Sequence, residues 1–169
     1  MPEERQTRFH EEYVKNLQND SLFWGTWINN MFDYGSARRP YGINGEGLVT
    51  IDRRERKDAY YLYRALWNER KPTLHIVDKR RSLRDRNRQA FSVYSSVGAP
   101  TLFVGAETVA MTQYAACQYR SDSVEIQGIV KVKAVAGEQC DSVTLRVGNV
   151  LKPKRQPVPR RTAGPQQTN

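Results

Sequence analysis

The hydrophobic pattern of the chain changes at Pro72, and this change limits the folds that the sequence allows. After Pro72, short apolar runs alternate with polar residues and are separated by Gly, Pro, Ser and Asp. These runs are TLHIV, AFSVYS, TLFVG, TVAMTQY, SVEIQ, IVKVKAV and SVTLRV. In the sixth run Val130, Val132 and Ala134 alternate with two lysines, as in a strand with one buried face. The pattern predicts an all-β sandwich over residues 90–149.

Before Pro72, two helical patterns enclose an apolar run and a glycine-rich loop. The first helix is predicted from residues that recur every three or four positions: Phe9, Tyr13, Val14 and Leu17. The run LFWGTWIN is apolar on both faces, which indicates a strand that is covered on both sides. Residues 31–47 are expected to form a long loop, and a D-x-x-E cap, Asp52 to Glu55, precedes the second helix. Helix, strand and helix are typical of an α/β barrel or doubly wound unit, but one strand cannot close either fold.

Composition is consistent with one domain or two small ones. The chain has 169 residues, 38% of them hydrophobic, and a mean hydropathy of -0.73. No apolar run approaches the roughly 20 residues that span a bilayer, and no segment has the pattern of a signal peptide. The sequence therefore predicts neither a membrane partner nor an export signal in these residues.

Basic residues give the chain a formal charge of +9, and they fall in two groups. The first lies between residues 79 and 88 and also contains Asp85, and the second lies in a proline-rich tail at 150–169. A phosphate-binding face is one interpretation, but the first group lacks interleaved aromatic residues. We favour a solvated basic linker at 73–89, a disordered basic tail at 150–169, and no nucleic-acid partner.

The cysteines and histidines have no spacing that indicates a metal or cofactor. Cys117 and Cys140 allow one bridge between neighbouring strands, although two free, half-buried thiols are the simpler interpretation. His10 and His75 lie in unrelated elements and are expected to be ordinary surface or interface residues. No metal site and no cofactor are predicted.

The first 67 residues carry a more specific resemblance. The succession WGTW, NMFDY, GINGEGLVT and DRRERKDAYYLY is similar to the last strand, loop and helix of the barrel in glycoside hydrolase family 2, in its bacterial β-galactosidase branch. The resemblance implies an α/β plus all-β chain. Residues 1–72 would be the last helix, strand and helix of a (β/α)8 barrel, and an immunoglobulin-like antiparallel β-sandwich would come after them. It is strong to Trp67 and looser from there to about residue 148.

The resemblance implies hydrolysis of a β-linked glycoside with retention of configuration, for which two glutamates act together. In the family these glutamates lie on barrel strands four and seven, whereas this chain corresponds to the region after strand seven. Four glutamates, Glu3, Glu4, Glu11 and Glu12, lie on or before the first helix and not at a strand end, where such barrels build their active sites. We therefore predict no catalytic residue in this chain and no activity from the chain alone.

The candidate substrate-binding residues are Trp27, Asn29 and Asn30. Many relatives have a sugar-stacking tryptophan at the position of Asn29, and an amide there offers hydrogen bonds in place of a flat apolar face. Trp27 lies on the same side of the predicted strand and contributes either to the pocket or, more simply, to the barrel core. Trp24 is expected to pack against helices. Asp33 and Asn44 are expected to orient the loop rather than to touch sugar.

A second function class is a non-catalytic carbohydrate-binding or structural sandwich. It requires an exposed aromatic surface, for which the candidates are Tyr94, Phe103, Tyr114 and Tyr119. The expected partners are a β-linked glycoside in the presence of the whole barrel, the missing barrel portion, or a second copy of the chain. The resemblance associates the parent enzymes with the bacterial periplasm or secretion, and the chain itself indicates no location.

Overall fold

A computed structural model describes residues 2–18, 21–22 and 24–148. The predicted tail at 150–169 lies outside the described residues. Within the described part, no helix is long and apolar enough to cross a membrane. The chain is β-rich with two α-helices, as the change of pattern at Pro72 predicts.

The two helices lie where the periodicity predicts them. The first, α1 (Glu3–Gln18), buries Val14 together with polar residues such as Thr7 and His10, whereas Phe9 is exposed. Its inner face is thus more polar than the predicted apolar stripe. The second, α2 (Asp58–Trp67), has an apolar stripe in its sequence, of which Ala59, Leu62 and Tyr63 are buried and Leu66 is half-buried.

The predicted cap of α2 is wrong. This helix begins at Asp58 after an extended Lys57 whose side chain does not cap it. The carboxylate of Asp52 instead accepts hydrogen bonds from the Thr50 hydroxyl and the Arg54 backbone N–H, within a turn that precedes the helix. Asp52 is too far from the first turn of the helix to satisfy its free N–H groups, and the Asp58 N–H donates to the Glu3 carboxylate.

Thirteen strands are present in the described part of the chain. In chain order they are β1 (Tyr34–Gly35), β2 (Ile43–Asn44), β3 (Leu74–Ile76), β4 (Leu83–Arg84), β5 (Arg88–Gln89), β6 (Ser92–Ser95), β7 (Thr101–Val104), β8 (Glu107–Val109), β9 (Met111–Ala115), β10 (Gln118–Ser121), β11 (Val124–Glu125), β12 (Ile129–Ala136) and β13 (Gln139–Val147).

A four-stranded and a five-stranded sheet form the β-rich part. The first has the order β3-β6-β10-β9 and the second the order β4-β13-β12-β7-β8. Every pairing in the two sheets is antiparallel except that of β4 with β13, which is parallel. The predicted antiparallel sandwich thus has one parallel pair of strands, at an edge of the second sheet.

The segment 73–89, which we predicted as a basic linker, contributes to the sheets. It contains β3, β4 and β5, which pair with β6, β13 and β11 respectively. The strand β3 lies in the run TLHIV, which shows the strand pattern, whereas β4 and β5 have two residues each and are too short to show one.

One hydrophobic core lies between the two sheets. Buried side chains from both sheets meet there, including Val93 from the first and Leu102, Val132 and Leu145 from the second. Along β12, Val132 and Ala134 are buried while the two lysines are exposed, as the alternation predicts. A second core joins the helices to the first sheet, because Tyr94 of β6 packs with Val14, Leu62 and Tyr63.

The run LFWGTWIN does not form the predicted buried strand. Residues 24–28 belong to no strand, and Trp24 and Trp27 are 87% and 79% exposed. Trp24 contacts Trp27 edge to face, with ring centroids 5.8 Å apart. The prediction that Trp24 packs against helices is therefore wrong. A strand apolar on both faces needs neighbouring strands, and no strand of the described part pairs with residues 24–28.

Candidate functional site

The candidate site is a shallow depression where the unpaired run 24–28 enters the long loop. Asn29 and Asn30 line it, together with Phe32, Tyr34 and Arg53. Trp27 lies outside the lining, with its ring turned to solvent. The structure therefore brings together two of the three predicted binding residues and leaves the third beside them.

Backbone hydrogen bonds hold this edge against the segment that leads into α2. The Leu48 N–H donates to the Asn30 carbonyl at 3.2 Å, and the Val49 N–H donates to the Met31 carbonyl at 2.9 Å. Gly47, at the end of the loop, lies against the backbone of Phe32, and an added Cβ would lie 2.1 Å from the Phe32 carbonyl carbon. Only glycine fits there, because the atoms in the way belong to the backbone and not to a side chain that could move.

Asp33 holds the two ends of the loop together through its carboxylate. Its Oδ1 accepts hydrogen bonds from the Gly47 N–H at 2.9 Å and from Lys57 Nζ at 2.7 Å. Lys57 also donates to the Gly45 carbonyl at 3.1 Å. The Asp33–Lys57 pair is almost fully buried, so its geometry holds the loop more firmly than an exposed ion pair would.

Asn44 acts within the same loop. Its Nδ2 donates to the Tyr34 hydroxyl at 2.7 Å, and its Oδ1 accepts from the Glu46 N–H at 3.2 Å in an Asx turn. These contacts agree with the prediction that Asp33 and Asn44 orient the loop. Lys57 was missed, since nothing in the sequence marks one lysine among many as the buried partner.

Two glutamates of α1, Glu3 and Glu11, attach the helix to the rest of the chain. Glu11 Oε1 accepts hydrogen bonds from the hydroxyls of Tyr94 at 2.7 Å and Tyr114 at 3.1 Å. Glu3 accepts from the Asp58 N–H at 3.0 Å and forms an ion pair with Arg80 at 2.7 Å. Both carboxylates are thus occupied by structural contacts.

Burial raises the pKa of the Glu11 carboxyl, although hydrogen bonds from Tyr94 and Tyr114 oppose the shift. A carboxyl whose pKa is raised on folding stabilises the fold most at low pH, and this contribution is lost as the pH rises through the folded-state pKa. Glu11→Gln keeps an oxygen that accepts both phenol protons and removes the charge. We therefore expect the stability of Glu11→Gln relative to wild type to increase as the pH rises from about 4 to 7.

Urea unfolding at several pH values measures this difference. The matched control is Glu12→Gln, because Glu12 is exposed on the same helix and its variant should follow the wild-type pH curve. A Glu11→Gln variant that differs from wild type by the same free energy at every pH would contradict the assignment.

His75 is buried, as is His10 of α1, and the expectation of ordinary surface or interface residues is wrong for both. Its Nε2 donates to Asp58 Oδ1 at 2.7 Å, and its ring stacks on Tyr61 with centroids 3.8 Å apart. Burial lowers the pKa of His75 despite the neighbouring carboxylates, so the imidazole is neutral near pH 7. Asp58 Oδ2 also accepts from the Asp78 N–H at 2.8 Å, and Asp58 therefore joins α2 to the strand segment beyond Pro72.

Comparison with known proteins gives the family. No family model matches the chain. A β-glucuronidase of Bacteroides fragilis is 35% identical over 147 residues, which are 85% of this chain and 20% of that protein. The crystal structure of an FMN-binding β-glucuronidase from Faecalibacterium prausnitzii L2-6 is 34% identical, with a TM-score of 0.78 over 88% of this chain and 23% of that one.

The chain is a homologue of part of a family 2 glycoside hydrolase. A putative β-galactosidase from Bacteroides fragilis is 26% identical and superposes with a TM-score of 0.81, again over 88% of this chain and 24% of the relative. The chain spans only about a fifth of the length of the curated relative it matches. The resemblance to this family is thereby confirmed.

The sandwich of this glycoside hydrolase homologue lacks the exposed aromatic surface that the alternative function requires. Tyr94 and Tyr119 are buried and Phe103 is half-buried. Of these four candidates only Tyr114 is exposed, and its hydroxyl is bound to Glu11. Within the basic segment, Lys79 pairs with Asp141 at 2.7 Å, Arg80 with Glu3, and Arg81 with Asp78 at 3.0 Å. Neither a sugar-stacking face nor a free basic patch is formed by these residues.

No group of three or more potential metal ligands occurs among the residues that the structure describes. Cys117 and Cys140 are free thiols. Cys117 is half-buried as predicted, whereas Cys140 is exposed, so the prediction of a half-buried side chain is wrong for it. Cys117 donates to the Ala65 carbonyl at 3.4 Å, and burial raises its pKa, so this thiol is less reactive than an exposed one.

Proposed function

We propose that the chain is the C-terminal portion of a retaining β-glycosidase and contributes one wall of its active site. The observation that carries the proposal is the unpaired apolar run beside the Asn29 and Asn30 depression. Two exposed tryptophans on a run that pairs with no strand of the described part are what a barrel strand presents when its neighbouring strands lie on another part of the protein.

Covering this run with the rest of a barrel would be strongly favourable. A tryptophan buries roughly 150–250 Å² when it is packed, and each Å² of apolar area contributes about 25 cal/mol. Covering Trp24 and Trp27 would also place their backbone in a sheet. The same exposed surface would otherwise promote self-association of the isolated chain.

The chemistry of a retaining glycosidase requires two carboxyl groups about 5 Å apart, on either side of the scissile bond. Glu3 and Glu11 are held by contacts that join α1 to the rest of the chain. The nucleophile and the acid/base are therefore assigned to the part of the enzyme outside this chain. Asn29 and Asn30 would supply hydrogen bonds to sugar hydroxyls, with Trp27 beside them.

A β-glucuronide is the preferred substrate in this proposal, because the Bacteroides fragilis and Faecalibacterium prausnitzii relatives, at 35% and 34% identity, carry the name β-glucuronidase. A β-galactoside is the second choice, supported by the name of the 26% identical relative and by the sequence resemblance to the β-galactosidase branch.

Hydrolysis assays test the proposal. The purified chain should show no turnover of an aryl β-glucuronide or an aryl β-galactoside. A chimera that carries this chain in place of the matching region of the Bacteroides fragilis β-glucuronidase should hydrolyse one of the two. Turnover by the chain alone that is lost in Glu11→Gln would overturn the placement of the catalytic residues.

The candidate binding residues are tested in the same chimera. Asn29→Ala should lower kcat/KM by roughly 3- to 10-fold, as expected for the loss of one neutral hydrogen bond to the substrate. Asn87→Ala is the matched control, because this exposed asparagine lies away from the depression. Equal kcat/KM values for the two variants would remove Asn29 from the substrate site.

A further inference from the structure

A second groove lies between α1 and the segment that comes after Pro72, away from the Asn29 and Asn30 depression. It has a volume of about 590 Å³. Its walls come from one face of α1, from the basic segment around β4 and β5, and from the start of β6. The proposed glycosidase function makes no use of it.

Three buried polar atoms in the lining have no hydrogen-bond partner in the described part of the chain. They are Arg84 Nε, Thr7 Oγ1 and Gln89 Nε2. Arg84 and Thr7 are only 3% and 4% exposed. Buried polar groups are normally satisfied, so atoms left open along one groove indicate that something binds there.

Most of the atoms without a partner are hydrogen-bond donors. Arg84 directs its Nη1 to the Asp78 carboxylate and its Nη2 to the Asp78 carbonyl at 2.8 Å, whereas Nε has no partner. The Gln89 amide nitrogen is also a donor, and the Thr7 hydroxyl can donate. A ligand that satisfies all three atoms must accept hydrogen bonds.

The acidic groups of the lining are mostly occupied. Glu4 pairs with Arg8, Glu11 accepts from two tyrosines, and Asp58 and Asp78 accept from the chain itself. Asp85 remains exposed at the rim. By contrast, Arg86, Arg88 and Arg120 line the groove and form no ion pair within the described residues. The groups of the groove that remain without a partner are therefore cations and hydrogen-bond donors.

We propose that this groove binds a small oxyanion ligand, a molecule that carries a phosphate or carboxylate group. The anion would accept from Arg84 Nε, Gln89 Nε2 and the Thr7 hydroxyl at the base, and would be attracted by Arg86, Arg88 and Arg120 at the rim. Guanidinium groups match the planar or tetrahedral oxygens of such anions, and a partly enclosed groove strengthens each contact.

The test is a thermal-unfolding titration of the full chain with pyrophosphate, inorganic phosphate and citrate, each compared with sodium chloride at matched ionic strength. At about 100 times Kd a specific ligand should raise Tm by on the order of 5 °C. A saturable shift with the phosphates alone assigns a phosphoryl ligand, and a shift with citrate alone assigns a carboxylate. No saturable shift beyond the chloride control overturns the proposal.

Two variants locate the binding. Arg86→Gln together with Arg88→Gln should weaken binding about tenfold or more, because two charge-assisted contacts are lost. Thr7→Val should weaken it by a smaller factor without changing the charge. Arg70→Gln is the control, an exposed arginine outside the groove. Equal affinities for the groove variants and the control would show that the anion binds elsewhere and would refute the assignment.

Discussion

Replacement of Asp58 by alanine is expected to lower the free energy of unfolding by about 3 kcal/mol. Asp58 is buried and accepts hydrogen bonds from His75 Nε2 and the Asp78 N–H. Without it, two buried donors lose their acceptor, and each such loss costs about 1–3 kcal/mol. The carboxylate also lies in the first turn of α2, where the helix dipole favours negative charge.

Urea unfolding measures this loss, with Asp85→Ala as the matched control. Asp85 is exposed and has no ion-pair partner in the described part of the chain, so its removal should change stability by less than about 0.5 kcal/mol. If the two variants are equally stable, His75 and Asp58 do not join α2 to the sandwich in the way described.

Replacement of Leu102 by alanine is expected to cost about 2–5 kcal/mol, the usual range for a leucine removed from a packed core. Leu102 is fully buried between the two sheets and lies opposite Ala134 and Val109 in its own sheet. These small neighbours have little reach into the space that the leucine leaves. A cavity should therefore remain, and its volume adds to the lost hydrophobic transfer free energy.

Leu83→Ala is the control for this second prediction. Leu83 lies at the edge of the same sheet, in β4, and is 43% exposed, so we expect a cost of about 1 kcal/mol or less. Comparable losses in Leu102→Ala and Leu83→Ala would mean that the core does not lie between the two sheets.

The sequence predicted those features that one local pattern is enough to specify. The alternation along β12 separates Val132 and Ala134 from the lysines between them, because successive side chains of a strand point to opposite faces. The second helix was likewise found from its apolar stripe. Within the loop, the predicted hydrogen bonding of Asn44 required only its near neighbour Glu46.

Features that depend on distant partners could not be predicted in this way. His75 and Asp58 are 17 positions apart, and Asp33 and Lys57 are 24 apart, so neither pair leaves a periodic signal. A polar side chain is expected on the surface unless its partner is known. The run LFWGTWIN could not be placed for a related reason. Its apolar pattern predicts that the segment packs against something, but it does not show which part of the protein that is.

The contacts of α1 have a mechanical consequence. Glu3 binds Arg80, Glu11 binds Tyr94 and Tyr114, and the side chain of Gln6 holds the carbonyls of Glu46 and Gly47 at 2.8 Å. The helix α1 thus contacts both the β-rich part of the chain and the glycine-rich loop through its side chains. We therefore expect a displacement of the sandwich to pull on the loop through α1, and these contacts to resist hinge motion at Pro72.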